Sequence, residues 1–216
     1  MAGTVSKCFQ VIAMAGACLP GWAQSGETKA VPIRVFNRAN VAKADLARAL
    51  KVASAIFEEA GIAVSWAEGS AGDHESTALD FSANGASNAA CGNRRMGELH
   101  LALTLGPTTG VMPTTLGLAL PCAKYGSDAS IFVDRCEAVM QNTPASFAKI
   151  LGHAIAHEMG HVLLGSNEHS SAGLMRARWD NADWQRVAAA HIPIEPVDAV
   201  RMKASPLMAD TVARGR

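Results

Sequence analysis

Residues 153–175 read HAIAHEMGHVLLGSNEHSSAGLM and hold four of the chain's seven histidines, with Glu158 directly after the second of them. On an α-helix, residues four apart are separated by about 40° around the axis and about 6 Å along it. His157 and His161 therefore project from one face, one turn apart, and their imidazole nitrogens can meet a single tetrahedral zinc ion. Glu158 leans toward the same edge, within reach of a water on the metal and without occupying a coordination position. Gly165 is placed to end the helix, and His169 follows in the loop. A glycine in the left-handed conformation lets the chain reverse sharply, and the seven residues between His161 and His169 are ample to return a third imidazole to the metal.

This stretch resembles the metzincin group of zinc peptidases, whose pattern is H-E-x-x-H-x-x-G-x-x-H followed by a methionine turn beneath the zinc. His157, Glu158 and His161 fall on the motif. Strict spacing would put the glycine at Leu164 and the third ligand at Asn167, whereas this chain has Gly165 and His169, one and two residues later. Gly173-Leu174-Met175 is similar to the methionine turn. The resemblance implies a zinc-dependent metalloendopeptidase. Zn2+ would be held by His157, His161 and His169, a zinc-bound water would hydrolyse the peptide bond with Glu158 as general base, and Met175 would be a packing floor. A peptide or protein is the implied substrate, and a monomer the expected state. The alternative is a zinc-binding extracellular module that keeps a zincin fold without catalysis; His153, on the face of His157, is the residue that would then close the fourth coordination position.

The neighbouring residues have plainer readings. His153 reads as a packed or supporting histidine, Glu168 as a solvated loop charge in preference to a carboxylate ligand in place of His169, Asp180 as a helix cap, and Trp179 and Trp184 as packing in the C-terminal core. His100 reads as an exposed strand residue, and Cys91 as a disulfide partner or free thiol rather than an inhibitory cysteine.

The elements that must position these groups are legible as periodicity. Val31–Phe36 alternates and predicts a strand; Val41–Ala60 carries a helical apolar stripe closed by Gly61; Ile62–Trp66 predicts a second strand. Residues 68–93 are rich in Gly, Ser, Ala and Asn around one apolar island at Leu79–Phe81. Glu98–Leu105 alternates, with Leu99, Leu101, Leu103 and Leu105 on one face and His100 on the other. Residues 106–115 read as loop, and Leu116–Leu120 and Ile131–Val133 fit short edge strands or a hairpin. Thr143 and Pro144 predict the start of the histidine-bearing helix. Asp180 and Asp183 predict a capping box on a helix ended by Pro193. The tail after Pro196 has no clear pattern and reads as either a frayed helix or disorder. The expected fold is α/β (α+β) and metzincin-like: a twisted mixed sheet packed on a long helix and the HExxH helix, with a C-terminal helix after the methionine turn.

Hydrophobic residues make up 49 % and charged residues 18 %, a globular composition. Lys plus Arg equals Asp plus Glu at 19 each, scattered along the chain, which argues against a nucleic-acid partner. Residues 1–23 combine Lys7, an apolar run from Cys8 to Leu19, Pro20-Gly21 and small residues, the order of an export signal cleaved after Ala23. That run is shorter than the roughly 18 apolar residues that spanning a bilayer needs. A secreted or periplasmic location follows, lipid anchoring at Cys18 being the less favoured reading because its lipobox lacks the usual leucine. Residues 24–30 form a linker, 31–200 the catalytic domain and 201–216 a tail. Three cysteines remain, Cys91, Cys122 and Cys136, which predicts one disulfide and one thiol, with Cys122–Cys136 the favoured pair.

Overall fold

The computed structural model describes residues 30–69, 99–107, 109–121 and 128–208. The expected signal and cleavage point, the linker up to residue 29, Cys18, the Leu79–Phe81 island, Cys91 and Cys122 lie outside these residues.

Strand β1 (Val31–Asn37) and strand β3 (Leu99–Thr104) place Val31, Ile33 and Val35 and Leu99, Leu101 and Leu103 in the core, the period-2 pattern of a pleated strand. Between β1 and the parallel strand β2 (Val64–Glu68), helix α1 (Lys43–Glu59) makes the long crossover that parallel neighbours require. β2 begins two residues later than the alternation predicts. Gly61 is left-handed at φ 72°, and the Ile62 amide donates to Phe57 O at 2.9 Å, so Ile62 closes the helix and is buried there instead of entering the strand. The five strands lie in the order β2-β1-β3-β5-β4, all pairs parallel except β4 (Gly117–Ala119) with β5 (Ala129–Phe132). The expected hairpin is therefore present, and β4 forms one edge of a mixed sheet.

Two expectations in this region need correcting. Leu105 does not share the inner face of β3; it is 65 % exposed, because the chain turns away at Gly106, whose amide donates to Asp134 Oδ1 at 2.7 Å. Val133 does not belong to a strand but opens helix α2 (Val133–Met140), which the apolar run Ile131–Val133 concealed. Arg135 of α2 donates to the carbonyls of Pro107, Met112 and Thr115 and stacks over Phe132, so this short helix ties down the loop that leads into β4. Cys136 lies buried in α2 as a free thiol, so the expected Cys122–Cys136 pair is not formed. Burial, with the carboxylates of Asp134, Glu137 and Glu158 nearby, pushes that thiol up to about 12.

Helix α3 (Phe147–Leu164) carries the HEMGH segment and packs against α1, α2, β4 and β5. It is apolar around nearly its whole circumference, which suits a helix enclosed on all sides. α3 starts at Phe147 with Ser146 as N-cap, and the hydroxyl of Thr143 is buried without a hydrogen-bond partner rather than capping the helix. Its approach to α1 is close at Gly152, where a Cβ would lie 2.6 Å from Ala49 O and 2.7 Å from Val52 Cβ. Helix α4 (Asn181–Ala189) begins with the expected box: Asp183 N donates to Asp180 Oδ1, and Asp180 N to Asp183 Oδ2, both at 3.0 Å. Of the two readings of the tail, the helix is the one formed: α5 (Pro196–Ala204) packs on α3, and Met202 and, beyond the helix, Leu207 are buried in the core. Residues 201–208 thus pack with the rest of the fold. Among the described residues no helix is long and apolar enough to cross a membrane.

Candidate metal centre

At the end of α3, Gly165 adopts φ 65° and turns the chain back on itself. Its carbonyl-side neighbour then serves the site: His161 Nδ1 donates to Ser166 O at 2.9 Å. One turn earlier His157 Nδ1 donates to Leu174 O at 2.8 Å. A carbonyl can only accept, so both rings carry their proton on Nδ1 and present a bare lone pair at Nε2. These two Nε2 atoms face each other at 3.1 Å. With no proton to share, such an approach suits a cation between the lone pairs. Two nitrogens about 2.0–2.1 Å from a tetrahedral zinc lie roughly 3.3 Å apart, close to this separation.

His169 completes the group. One nitrogen from each of His157, His161 and His169 lies within 4.8 Å of the others, and the His169 ring is 4.7 Å from that of His161 and 5.4 Å from that of His157, centroid to centroid. The late glycine and late histidine thus still bring a third imidazole to the pair, and the three histidines can hold a metal ion. Burial pushes His157 down to about 4. His161 falls to about 3 through burial and then the neighbouring His157. Burial lowers His169 too. All three are therefore neutral near pH 7, the form that ligates.

The methionine segment lies beneath this face. Gly173 is left-handed at φ 69°, Leu174 N donates to Pro193 O at 2.8 Å, and Ser170 N donates to Met175 O at 2.9 Å. Met175 is fully buried, and a Cβ at Gly160 would lie 2.7 Å from its Sδ. Gly160 therefore lets the methionine pack directly under α3. Glu158 is also buried and, among the described residues, has no hydrogen-bond partner; burial pushes its carboxyl up to about 8. A Cβ at Gly117 of β4 would lie 2.7 Å from Glu158 Cγ, so the glycine in the edge strand makes room for this side chain. A divalent cation at the histidines would offset the cost of a carboxylate in such surroundings.

The plainer readings of the neighbours fit the geometry. His153 is fully buried with both nitrogens engaged: Nδ1 donates to Lys149 O at 2.7 Å and Nε2 accepts from Ile192 N at 3.0 Å. It is thus unavailable as a fourth ligand. Glu168 is exposed and pairs with Arg201 at 3.6 Å. Trp179 donates to Leu174 O at 3.1 Å and packs edge-on against His153, His157 and Trp184. His100 is half-buried on β3, edge-on to Phe36, and lies outside the histidine group. The carbonyls of Leu174 and Ser166 carry no sequence signal, because any residue supplies one. Gly117 did carry a signal, a glycine inside the apolar run LGLAL.

Comparison with protein-family models, with curated proteins and with solved structures gave no match.

Proposed function

We propose that the chain is a zinc-dependent metallopeptidase with His157, His161 and His169 as ligands and Glu158 as general base. The observation that carries this reading is the pair of Nε2 lone pairs at 3.1 Å, each ring fixed by an Nδ1–H bond to a carbonyl, with a third imidazole beside them. Three neutral imidazoles, with no other protein ligand among the described residues, suit zinc in its catalytic rather than its structural form. When bound there, zinc supplies Lewis acidity, which acidifies water and polarises a scissile carbonyl. Glu158 would accept the proton of the attacking water and return it to the leaving amine. Its burial and its want of a hydrogen-bond partner suit a carboxylate reserved for a proton. His157 and His161 would hold their orientation through Leu174 O and Ser166 O while charge changes around them. The motif's resemblance to metzincins supports the same assignment, as does the buried methionine turn. The order of Lys7, apolar run and small residues supports export from the cytoplasm.

The experiment compares hydrolysis of a quenched-fluorescent peptide library by the zinc-loaded wild type and Glu158→Gln. The variant is expected to keep its zinc and to lose about 10²–10⁴-fold in rate. Undiminished hydrolysis by the variant would remove Glu158 from its role. A zinc-loaded wild type that cleaves nothing would favour the binding-module reading.

A further inference from the structure

His157 and His161 each have a carbonyl that fixes the ring, whereas the ring of His169 has no hydrogen-bond partner among the described residues. Its position must come from the backbone on either side of it. The residue that follows, Ser170, is held twice. Its amide donates to Met175 O at 2.9 Å, and its hydroxyl donates to Asp198 Oδ2 of α5 at 2.6 Å. Asp198 is 1 % exposed and Ser170 half-buried, so this is a part-buried bond to a carboxylate, shorter and stronger than a neutral pair. Arg201, one turn further along α5, reaches both Glu168 on the other side of His169, at 3.6 Å, and Asp198, at 3.8 Å.

We propose that Asp198, acting through Ser170, is a positioning residue for the third metal ligand, so that α5 sets the metal affinity of a centre it does not touch. The proposal rests on the metal-centre reading. The physical reason is the length of the return loop: seven residues separate His161 from His169, and a loop of that length leaves its third imidazole free to sample other positions unless its end is anchored. The Glu168–Arg201 pair is exposed and contributes little by itself. The part-buried Ser170–Asp198 bond is the anchor.

The test titrates the metal-free full-length protein with Co2+, whose visible absorption reports its ligand set, at a temperature where every variant is folded. The variants are Ser170→Ala, Asp198→Ala, His169→Ala and the double variant S170A/H169A. Ser170→Ala and Asp198→Ala are each expected to bind Co2+ about 10–100-fold more weakly than wild type. Their spectra should move toward that of His169→Ala. Once His169 is gone the anchor has nothing to position, so S170A/H169A should bind as His169→Ala does. Wild-type affinity in Ser170→Ala, or a double variant weakened by the product of the single losses, would overturn the proposal. Should Asp198→Ala not fold, Ser170→Ala deletes the same bond from the loop side and decides the matter. A wild type that takes up no cobalt would overturn the metal centre itself, an outcome distinct from the others.

Discussion

Replacing His153 with glutamine should flatten the dependence of stability on pH in the acid range. In the folded chain, burial is the largest effect on this imidazole and holds it down at about 4 against an ordinary 6.5; its bond to Lys149 O opposes that shift, and the positive charges of His191 and Lys149 assist it. As pH falls through 6.5 the unfolded chain takes up the proton while the folded chain does not until about 4. Stability is therefore fully present above that window and is lost as pH falls across it, at about 1.4 kcal/mol per pH unit. By pH 4.5 the loss from this one group is about 2.5 kcal/mol. There is a structural reason for the resistance: a protonated ring would carry N–H on both nitrogens, and Ile192 N–H would lose its acceptor. Glutamine can still accept from Ile192 and donate to Lys149 but does not titrate. Denaturant unfolding of the chelator-treated full chain at pH 7.5 and 4.5 measures the effect. Wild type should lose about 2–3 kcal/mol more than H153Q between the two pH values, and the histidines common to both proteins cancel in the comparison. Equal losses would show that His153 is not held neutral by its surroundings.

Two further outcomes follow from packing. Gly152→Ala would push a Cβ into Ala49 O and Val52, and since backbone cannot yield as a side-chain tip can, it should cost about 1–3 kcal/mol by denaturant unfolding. Cys136, buried in α2 and pushed up to about 12, should resist a thiol reagent at pH 8 in the native chain and react on unfolding; rapid native labelling would contradict its burial.

The strength of the sequence signal tracks how locally each element is determined. HEMGH, Gly165 and the Asp180–Asp183 box are specified by neighbours in the chain, and each lies where spacing places it. α1 and β1 are long enough for their periodicity to average out irregularities. α2 is only eight residues long and continues directly from β5, so its apolar start reads as more strand. α5 was illegible for another reason: Val197 and Val200 are each 63 % exposed while Asp198 is buried, which blurs any stripe, and packing on α3 decides the helix. Thr143 and Pro144 have the residue types of a helix start, yet the helix begins later and the hydroxyl is buried. At the centre, three histidines were read from spacing, but the carbonyls of Ser166 and Leu174 and the Ser170–Asp198 bond appear only in three dimensions.

The central claim is that His157, His161 and His169 form one metal centre, and calorimetric titration of the metal-free chain with Zn2+ near neutral pH tests it most directly. One equivalent should bind to the wild type, and binding should be abolished when His157 and His161 are both replaced with alanine. No zinc uptake by the folded wild type, or equal uptake after both histidines are removed, would contradict the account.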